Sequence, residues 1–283
     1  MAEQSIYFQK CSLSMAYHHI EGKLSKYSLD SFKDDSKVYD YLRDFDLEPL
    51  FSGVYADRLL GSGSRLDRTV VESESKPFEP EYADLCRIHY LVLSRKCINV
   101  LEFGSGFSTV VIAQALKVLS QHFGAWVEGN IRSIDPFHLY AVEEDRAFLE
   151  VTKERLGSEL ADFATVSRSS VELITHENRF ASVYSRLPNI SPDFIYLDGP
   201  SQYATTAEIN GFSIDSPVRM PISADILRLE FFLEPGTLIL IDGRTSNARF
   251  LQAFLKRNWV YKHDYDGDFH LFELQEDPLG PNN

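Results

Sequence analysis

Ile98-Asn99-Val100-Leu101-Glu102-Phe103 runs without a break into Gly104-Ser105-Gly106-Phe107-Ser108-Thr109, and the strongly apolar residues 110–119 follow. The first six residues read as a buried strand and the apolar stretch as a helix. Two glycines one position apart let the chain turn tightly and bring peptide N–H groups against a ligand, while the N-terminus of the following helix favours negative charge. Strand, glycine turn and helix form one unit, and the natural guest of such a unit is a cofactor.

Upstream of this unit, Tyr82, Leu85, Ile88, His89 and Val92 recur at helical spacing, and Arg95-Lys96 suits a helix C-terminus. Downstream, short apolar runs at 139–142, 194–197 and 238–241 each end in an acid: Glu143, Asp198 and Asp242. Their continuous hydrophobicity suits central parallel strands buried on both faces. Helices are expected at 145–156 and 224–232, so strands alternate with helices and the fold class is α/β. Residues 259–265 and 269–274 are β-rich and flank Asp266-Gly267-Asp268, which predicts a hairpin that adds an antiparallel edge.

Residues 1–80 read as an appended, largely helical extension, with a Gly61-Ser62-Gly63-Ser64 patch and weak helical periodicity over 38–45. They carry Tyr7, Phe8, Tyr17, Tyr27, Phe32, Tyr39, Tyr41, Phe45, Phe51 and Tyr55, rings suited to a lid or dimer surface or, the reading we favour, to anchoring the extension on the main domain. The main domain spans 81–277 and a short tail 278–283.

The chain has 283 residues, 44% of them hydrophobic, which is ample for a buried core. Its 42 acidic and 28 basic side chains give a formal charge of −14, a field that repels polyanions. Nucleic acid is therefore not an expected partner, and Arg244, Arg249, Lys256 and Arg257 read as a solvated helix face. Cys11, Cys86 and Cys97 fit neither a disulfide framework nor a zinc site. With no signal-peptide core and no stretch of membrane-spanning length, a soluble cytoplasmic protein is expected. The eight histidines show no H-x-x-x-H spacing.

The dinucleotide fingerprint G-x-G-x-x-G requires glycine at 109, where Thr109 stands. Glu102, just under the turn, would repel a pyrophosphate and attract a ligand carrying an ammonium group. A nicotinamide-linked oxidoreductase is thus the weaker enzyme reading. S-adenosylmethionine has the required ammonium group, and its ribose diol suits an acid at the end of the next strand, where Glu143 stands.

Glu102-Phe103-Gly104-Ser105-Gly106-Phe107-Ser108 resembles the first motif of class I S-adenosylmethionine-dependent methyltransferases, and Ala141-Val142-Glu143 resembles their second. Pro192-Asp193-Phe194-Ile195-Tyr196-Leu197-Asp198-Gly199-Pro200 is similar to their fourth-strand motif. Glu234-Pro235-Gly236-Thr237-Leu238-Ile239-Leu240-Ile241-Asp242 is similar to their glycine-led fifth strand. The Asp198-Gly199 ending looks most like a small bacterial branch of the family, and the resemblance covers residues 80–275.

The resemblance implies a Rossmann-like, seven-stranded, mostly parallel sheet with a C-terminal antiparallel hairpin. It also implies S-adenosyl-L-methionine bound by Glu102, Gly104, Ser105, Gly106, Ser108, Thr109, Glu143 and Asp198. The long separation of Gly104 from Glu143 predicts an inserted loop over 124–137. No acid stands at the adenine position, where Ser169, Ser170 and Val171 lie.

Methyl transfer needs in-line placement and a suitable nucleophile more than covalent help. For a hydroxyl acceptor Asp198 is the candidate base, whereas an amine acceptor needs less. The 199–222 connection is unusually long and reads as an acceptor-binding loop. On it Tyr203 could hydrogen-bond or stack on an acceptor. Arg244 could reach an anionic acceptor or pair with Asp242. In the metal-dependent O-methyltransferases that the chain resembles, strand-end acids matching Asp198 and Asp242 hold a divalent cation. Gly243 and Ser201 stand here where that group has an amide and a lysine, so no metal is expected. The leading reading is O-methyl transfer to a small-molecule or saccharide-like acceptor. Its alternatives are the oxidoreductase or a non-catalytic cofactor-binding protein of the same fold. A homo-oligomer is left open.

Overall fold

The computed structural model describes residues 15–51 and 80–279. Tyr7, Phe8, Cys11, Tyr55 and the 61–64 patch lie outside the described residues. Eleven strands occur among those described: β1 (Asn99–Phe103), β2 (His138–Glu143), β3 (Ala164–Arg168), β4 (Val171–His176), β5 (Arg179–Tyr184), β6 (Phe194–Leu197), β7 (Glu208–Ile209), β8 (Phe212–Ser213), β9 (Leu238–Asp242), β10 (Trp259–Asp264) and β11 (Phe269–Leu274). Seven of them form one sheet in the order β10-β11-β9-β6-β1-β2-β3. β11 runs antiparallel between β9 and β10, and the other pairings are parallel. The fold is Rossmann-like α/β, with the expected antiparallel hairpin at its C-terminal edge.

The chain leaves β1 in both directions across the sheet: β2 and β3 lie on one side, β6 and β9 on the other. Such a reversal opens a crevice at the carboxyl ends of the strands on either side of it. Side chains alternate along β1, so Leu101 and Phe103 enter one apolar layer and Val100 the other. Glu102 therefore shares the face of Val100.

The helices are α1 (Met15–Leu24), α2 (Asp35–Asp44), α3 (Tyr82–Arg95), α4 (Phe107–Asn130), α5 (Arg146–Leu160), α6 (Asp225–Leu229) and α7 (Thr245–Phe254). The Val100 layer holds α3, α4 and α5, while the Leu101 layer holds the β4–β5 hairpin, α6 and α7. α4 runs on to Asn130, so the loop expected over 124–137 shrinks to residues 131–137. Buried Phe123 and Val127 carry the helix past Gly124, whose missing side chain faces only Ser120 Oγ. A helix can absorb one such glycine at a cost of about 1 kcal/mol when neighbouring side chains are buried.

α5 outlasts its expected end at 156, and a non-helical Gly157 with φ of 55° breaks its last turn. α6 stops at Leu229 and gives way to a 3-10 turn at Glu230–Phe232. Two hairpins were not expected. β4–β5 turns through Glu177 and Asn178, both at positive φ, and β7–β8 turns through Asn210-Gly211, also at positive φ.

The described part of the N-terminal extension is helical, with 3-10 turns at Leu29–Lys33 and Glu48–Phe51 beside α1 and α2. Its rings pack inward. Tyr17 meets Phe123 edge-on at 4.4 Å and donates to the Leu93 carbonyl at 3.1 Å, while the Tyr41 hydroxyl lies 2.8 Å from His89 Nδ1. Phe51 lies 5.5 Å from Phe107, the first residue of α4. Cys86 and Cys97 are free and buried. No helix among the described residues is long and apolar enough to cross a membrane.

Candidate functional site

Gly104 leaves β1 at φ 98°, a left-handed conformation that glycine adopts without strain. A side chain here would also meet Gly199 N at 3.4 Å and the Asp198 carbonyl carbon at 3.5 Å. Gly106 differs: its backbone is extended, and a Cβ there would meet nothing within 4 Å. It keeps the mouth of the turn open.

Glu102 is buried under the turn at 1% exposure. Ser108 Oγ donates to one of its carboxylate oxygens and Thr109 Oγ1 donates to the other at 2.7 Å, while Gly106 N donates to Thr109 Oγ1 at 3.0 Å. The hydroxyls expected to face a cofactor at 108 and 109 are thus turned inward, because a buried carboxylate needs hydrogen-bond donors. Burial pushes the Glu102 carboxyl up to about 8 against the pull of the two hydroxyls, and the negative Asp198 and Glu143 add to the rise.

Glu143 ends β2, also buried, and accepts from Ser105 Oγ at 2.8 Å and from Asp145 N at 2.9 Å. Ser105 also lies 3.2 Å from Thr152 Oγ1 on α5. Asp145 caps α5 through the amides of Ala147 and Phe148. Burial first, then the charge of Glu144, raises the Glu143 carboxyl to about 7. A carboxylate offers about four lone-pair sites, so Glu143 can still accept from a diol.

Beyond β3 the adenine-position segment is tied into the fold. Ser169 Oγ donates to the Arg186 carbonyl at 2.9 Å and accepts from Arg186 N at 3.0 Å, and the Ser170 and Ser185 hydroxyls lie 2.8 Å apart.

On the other side of β1, Asp198 follows β6 with its side chain 54% exposed and its amide bonded to the Phe103 carbonyl at 3.0 Å. The Gly199–Pro200 peptide is cis. Arg244, 5% exposed, sets Nε 3.4 Å from Asp198 Oδ1 and donates from its terminal nitrogens to the Asp198 carbonyl and, at 2.9 Å, to the Pro200 carbonyl. It is neither an open anion receptor nor a partner of Asp242. Left-handed Gly243 turns the chain after β9, and the buried guanidinium takes carbonyl partners instead.

Asp242 is half-buried at the end of β9, 3.5 Å from the Tyr196 hydroxyl. Burial, with the negative charges of Asp84 and Asp198, pushes its carboxyl well above the ordinary range. No set of three or more His, Cys, Asp or Glu side chains suited to a metal ion comes together among the described residues. Tyr203 is 47% exposed, with its amide bonded to Ser201 Oγ at 3.3 Å.

Several neighbours of the site escaped the sequence reading. Glu144 accepts from Ser201 N and from the Tyr184 hydroxyl, each at 2.7 Å. Arg87 on α3 is buried against Asp84 at 2.5 Å, and its guanidinium lies 4.2 Å from the Phe269 ring centre. Arg155 lies over the Phe107 ring at 3.7 Å. Glu144 directly follows the acid that was singled out, but no local pattern reveals its partner 57 residues away.

No protein-family model matches the chain, and no curated protein matches it. Among solved structures it is similar to the SAH-bound Podospora anserina methyltransferase PaMTH1, with a TM-score of 0.43 and 10% identity over 70% of this chain and 80% of that one. It is also similar to a proposed O-methyltransferase from Klebsiella pneumoniae, with a TM-score of 0.36 and 17% identity over 67% of this chain and 78% of that one. An uncharacterized protein from Listeria monocytogenes serotype 4b gives a TM-score of 0.35 and 10% identity over 70% of this chain and 69% of that one. At such scores the functional reading rests on the site itself.

Proposed function

We propose that the chain is an S-adenosylmethionine-dependent methyltransferase that acts on a small-molecule acceptor. One observation carries the reading: Glu143, the buried acid ending β2, holds Ser105 of the glycine turn that ends β1. Two adjacent strand ends, those of β1 and β2, are thereby joined beside the β1–β6 boundary at which the sheet order reverses, and an acid with spare lone pairs stands next to it, suited to a ribose diol. The seven-stranded, mostly parallel sheet and its C-terminal antiparallel hairpin are those implied by the sequence resemblance.

The charge at this edge supports the same cofactor. Glu102, Glu143 and Asp198 stand at the carboxyl ends of β1, β2 and β6, and a ligand carrying an ammonium and a sulfonium would favour their charged forms where a pyrophosphate would oppose them. The turn would hold the cofactor through Gly104, Ser105 and Gly106, with Glu143 toward the ribose. Ser108 and Thr109 act indirectly, by holding Glu102. When bound, the cofactor supplies an activated methyl group. The protein's part is placement, and Asp198, the exposed acid at the β6 end, is suited to accept the proton of a hydroxyl acceptor.

Titration with S-adenosylhomocysteine tests the proposal. A ligand at 100 times its Kd stabilises the native state by about 2.7 kcal/mol, so a clear rise in Tm and a saturable calorimetric heat are expected. No heat and no stabilisation at millimolar ligand would refute the cofactor assignment.

A further inference from the structure

We propose that Glu144 is a positioning residue which, with Tyr184 and Arg244, clamps residues 198–201 against the glycine turn and so fixes where the Asp198 carboxylate stands. The catalytic use of Asp198 rests on the function proposed above, whereas the clamp rests on geometry alone.

Glu143 and Glu144 are consecutive and serve opposite sides of β1. Glu143 turns to Ser105, and Glu144 reaches the connection after β6, where Ser201 N donates to Oε1 and the Tyr184 hydroxyl to Oε2. Both carboxylate oxygens of a half-buried side chain are thus engaged, one by backbone and one by a fully buried phenol. Tyr184 is itself fixed. Its ring stacks on Phe103 with centres 5.9 Å apart, and its amide donates to Asp225 at 3.1 Å. Arg244 grips the same segment from β9 through the Asp198 and Pro200 carbonyls.

Between these two grips Gly199 lies so close to β1 that a Cβ would come within 2.5 Å of the Tyr184 hydroxyl and 2.6 Å of Gly104 N. The segment bearing Asp198 is held by β2 on one side and β9 on the other, across the end of β1. Catalytic geometry tolerates displacements of only about 0.5 Å, and supporting hydrogen bonds of this kind keep an exposed carboxylate within that limit.

Amide hydrogen exchange on the full chain tests the clamp. Glu144→Ala is expected to speed exchange over residues 199–205 by about tenfold, with β9 and β11 unchanged, because the opening is local. Glu144→Gln keeps a carbonyl for Ser201 N and an amide that can donate to the phenol oxygen, so it should restore exchange to within about threefold of wild type. Tyr184→Phe removes one donor and keeps the packing, and should raise exchange over the same residues by a smaller factor.

Unchanged exchange at 199–205 in Glu144→Ala, an equal rise throughout the sheet, or a glutamine variant no better than alanine would each overturn the proposal. Calorimetry with S-adenosylhomocysteine separates positioning from cofactor binding. Affinity in Glu144→Ala within about threefold of wild type supports the clamp, and a loss of about tenfold would make Glu144 a cofactor residue instead. If wild type itself gives no heat, the functional reading fails while the exchange comparison still decides the clamp.

Discussion

The carboxyl edge of the sheet has two unlike halves. At β1 and β2 Glu102 is held by hydroxyls six and seven residues on, and Glu143 by an amide two residues on and by Ser105 of the adjoining turn, 38 residues back. At β6 and β9 the partners come from far along the chain: Glu144 and Ser201 are 57 residues apart, Arg244 and Asp198 are 46. The first half assembles with its own strand-turn-helix unit. The second exists only once the sheet has formed, and it alone leaves a carboxylate half exposed, at Asp198. A rigid nest beside an open station suits the two-substrate site proposed above.

The glycines offer the sharpest way to break this contrast. Gly199→Ala puts a methyl group 2.6 Å from Gly104 N and 2.8 Å from the Phe103 carbonyl carbon, backbone atoms that cannot step aside. Overpacking of this kind should cost about 3 kcal/mol, which lowers Tm by roughly 6–12 °C in a chain of this size. Gly106→Ala meets nothing within 4 Å and should leave the free protein's Tm within about 2 °C, while weakening S-adenosylhomocysteine binding. Differential scanning calorimetry of the two variants checks the pair, and equal losses would erase the distinction.

The nested half should also register in the pH dependence of stability. Glu102 at about 8, and Glu143 and Asp225 at about 7, bind a proton more tightly folded than unfolded, where the ordinary values are 4.5 for glutamate and 3.8 for aspartate. Between those limits the native state holds more protons, so stability falls as pH rises and levels off above pH 8. His89 and His270, lowered to about 4, act in the opposite sense up to their ordinary 6.5. The decline is therefore cleanest from pH 6.5 to 8, where it should amount to a few kcal/mol at most. Glu102→Gln, which mimics the protonated acid, should flatten it; urea unfolding across that range would show an unchanged slope if the nest were not involved.

Thr109→Val probes the same nest with a smaller change. It removes the 2.7 Å bond to the buried Glu102 and the acceptor for Gly106 N, keeping the shape. A lost bond to such a group costs about 2 kcal/mol, measurable as a lower urea midpoint at pH 8. The effect should shrink toward pH 6, where Glu102 is protonated.

These two halves also explain what the sequence disclosed. The strands at 139–142, 194–197 and 238–241 were legible because continuous apolar runs closed by an acid have few other readings, and that at 98–103 because it runs straight into a glycine turn and an apolar helix. The closing hairpin was legible from Asp266-Gly267-Asp268. The inserted loop was misjudged because the long separation of Gly104 from Glu143 was assigned to loop, whereas buried Phe123 and Val127 carry the helix on through Gly124 to Asn130. The β4–β5 hairpin turns on Glu177-Asn178 without a glycine, and Asn210-Gly211, a genuine turn signal, lay inside a stretch read as loop. In the site, Glu102 and Glu143 followed from strand ends. The inward turn of Thr109, the internal role of Arg244 and the pairing of Glu144 with Ser201 depend on tertiary neighbours that no spacing rule encodes.

Tyr203 gives the finest test of the open half. The residue is 47% exposed on the connection after β6, and its amide is held by Ser201 Oγ at 3.3 Å. Removing the hydroxyl of a side chain this exposed should change stability by less than about 0.5 kcal/mol in Tyr203→Phe. It should also leave S-adenosylhomocysteine affinity unchanged, since the cofactor contacts proposed here lie at β1 and β2. A Tm drop of more than about 3 °C would mean that the phenol is built into the fold and that this half is less open than its exposure indicates. With stability and cofactor affinity both intact, any loss of transfer in this variant belongs to the acceptor, which makes Tyr203→Phe a control for screening hydroxyl-bearing small molecules.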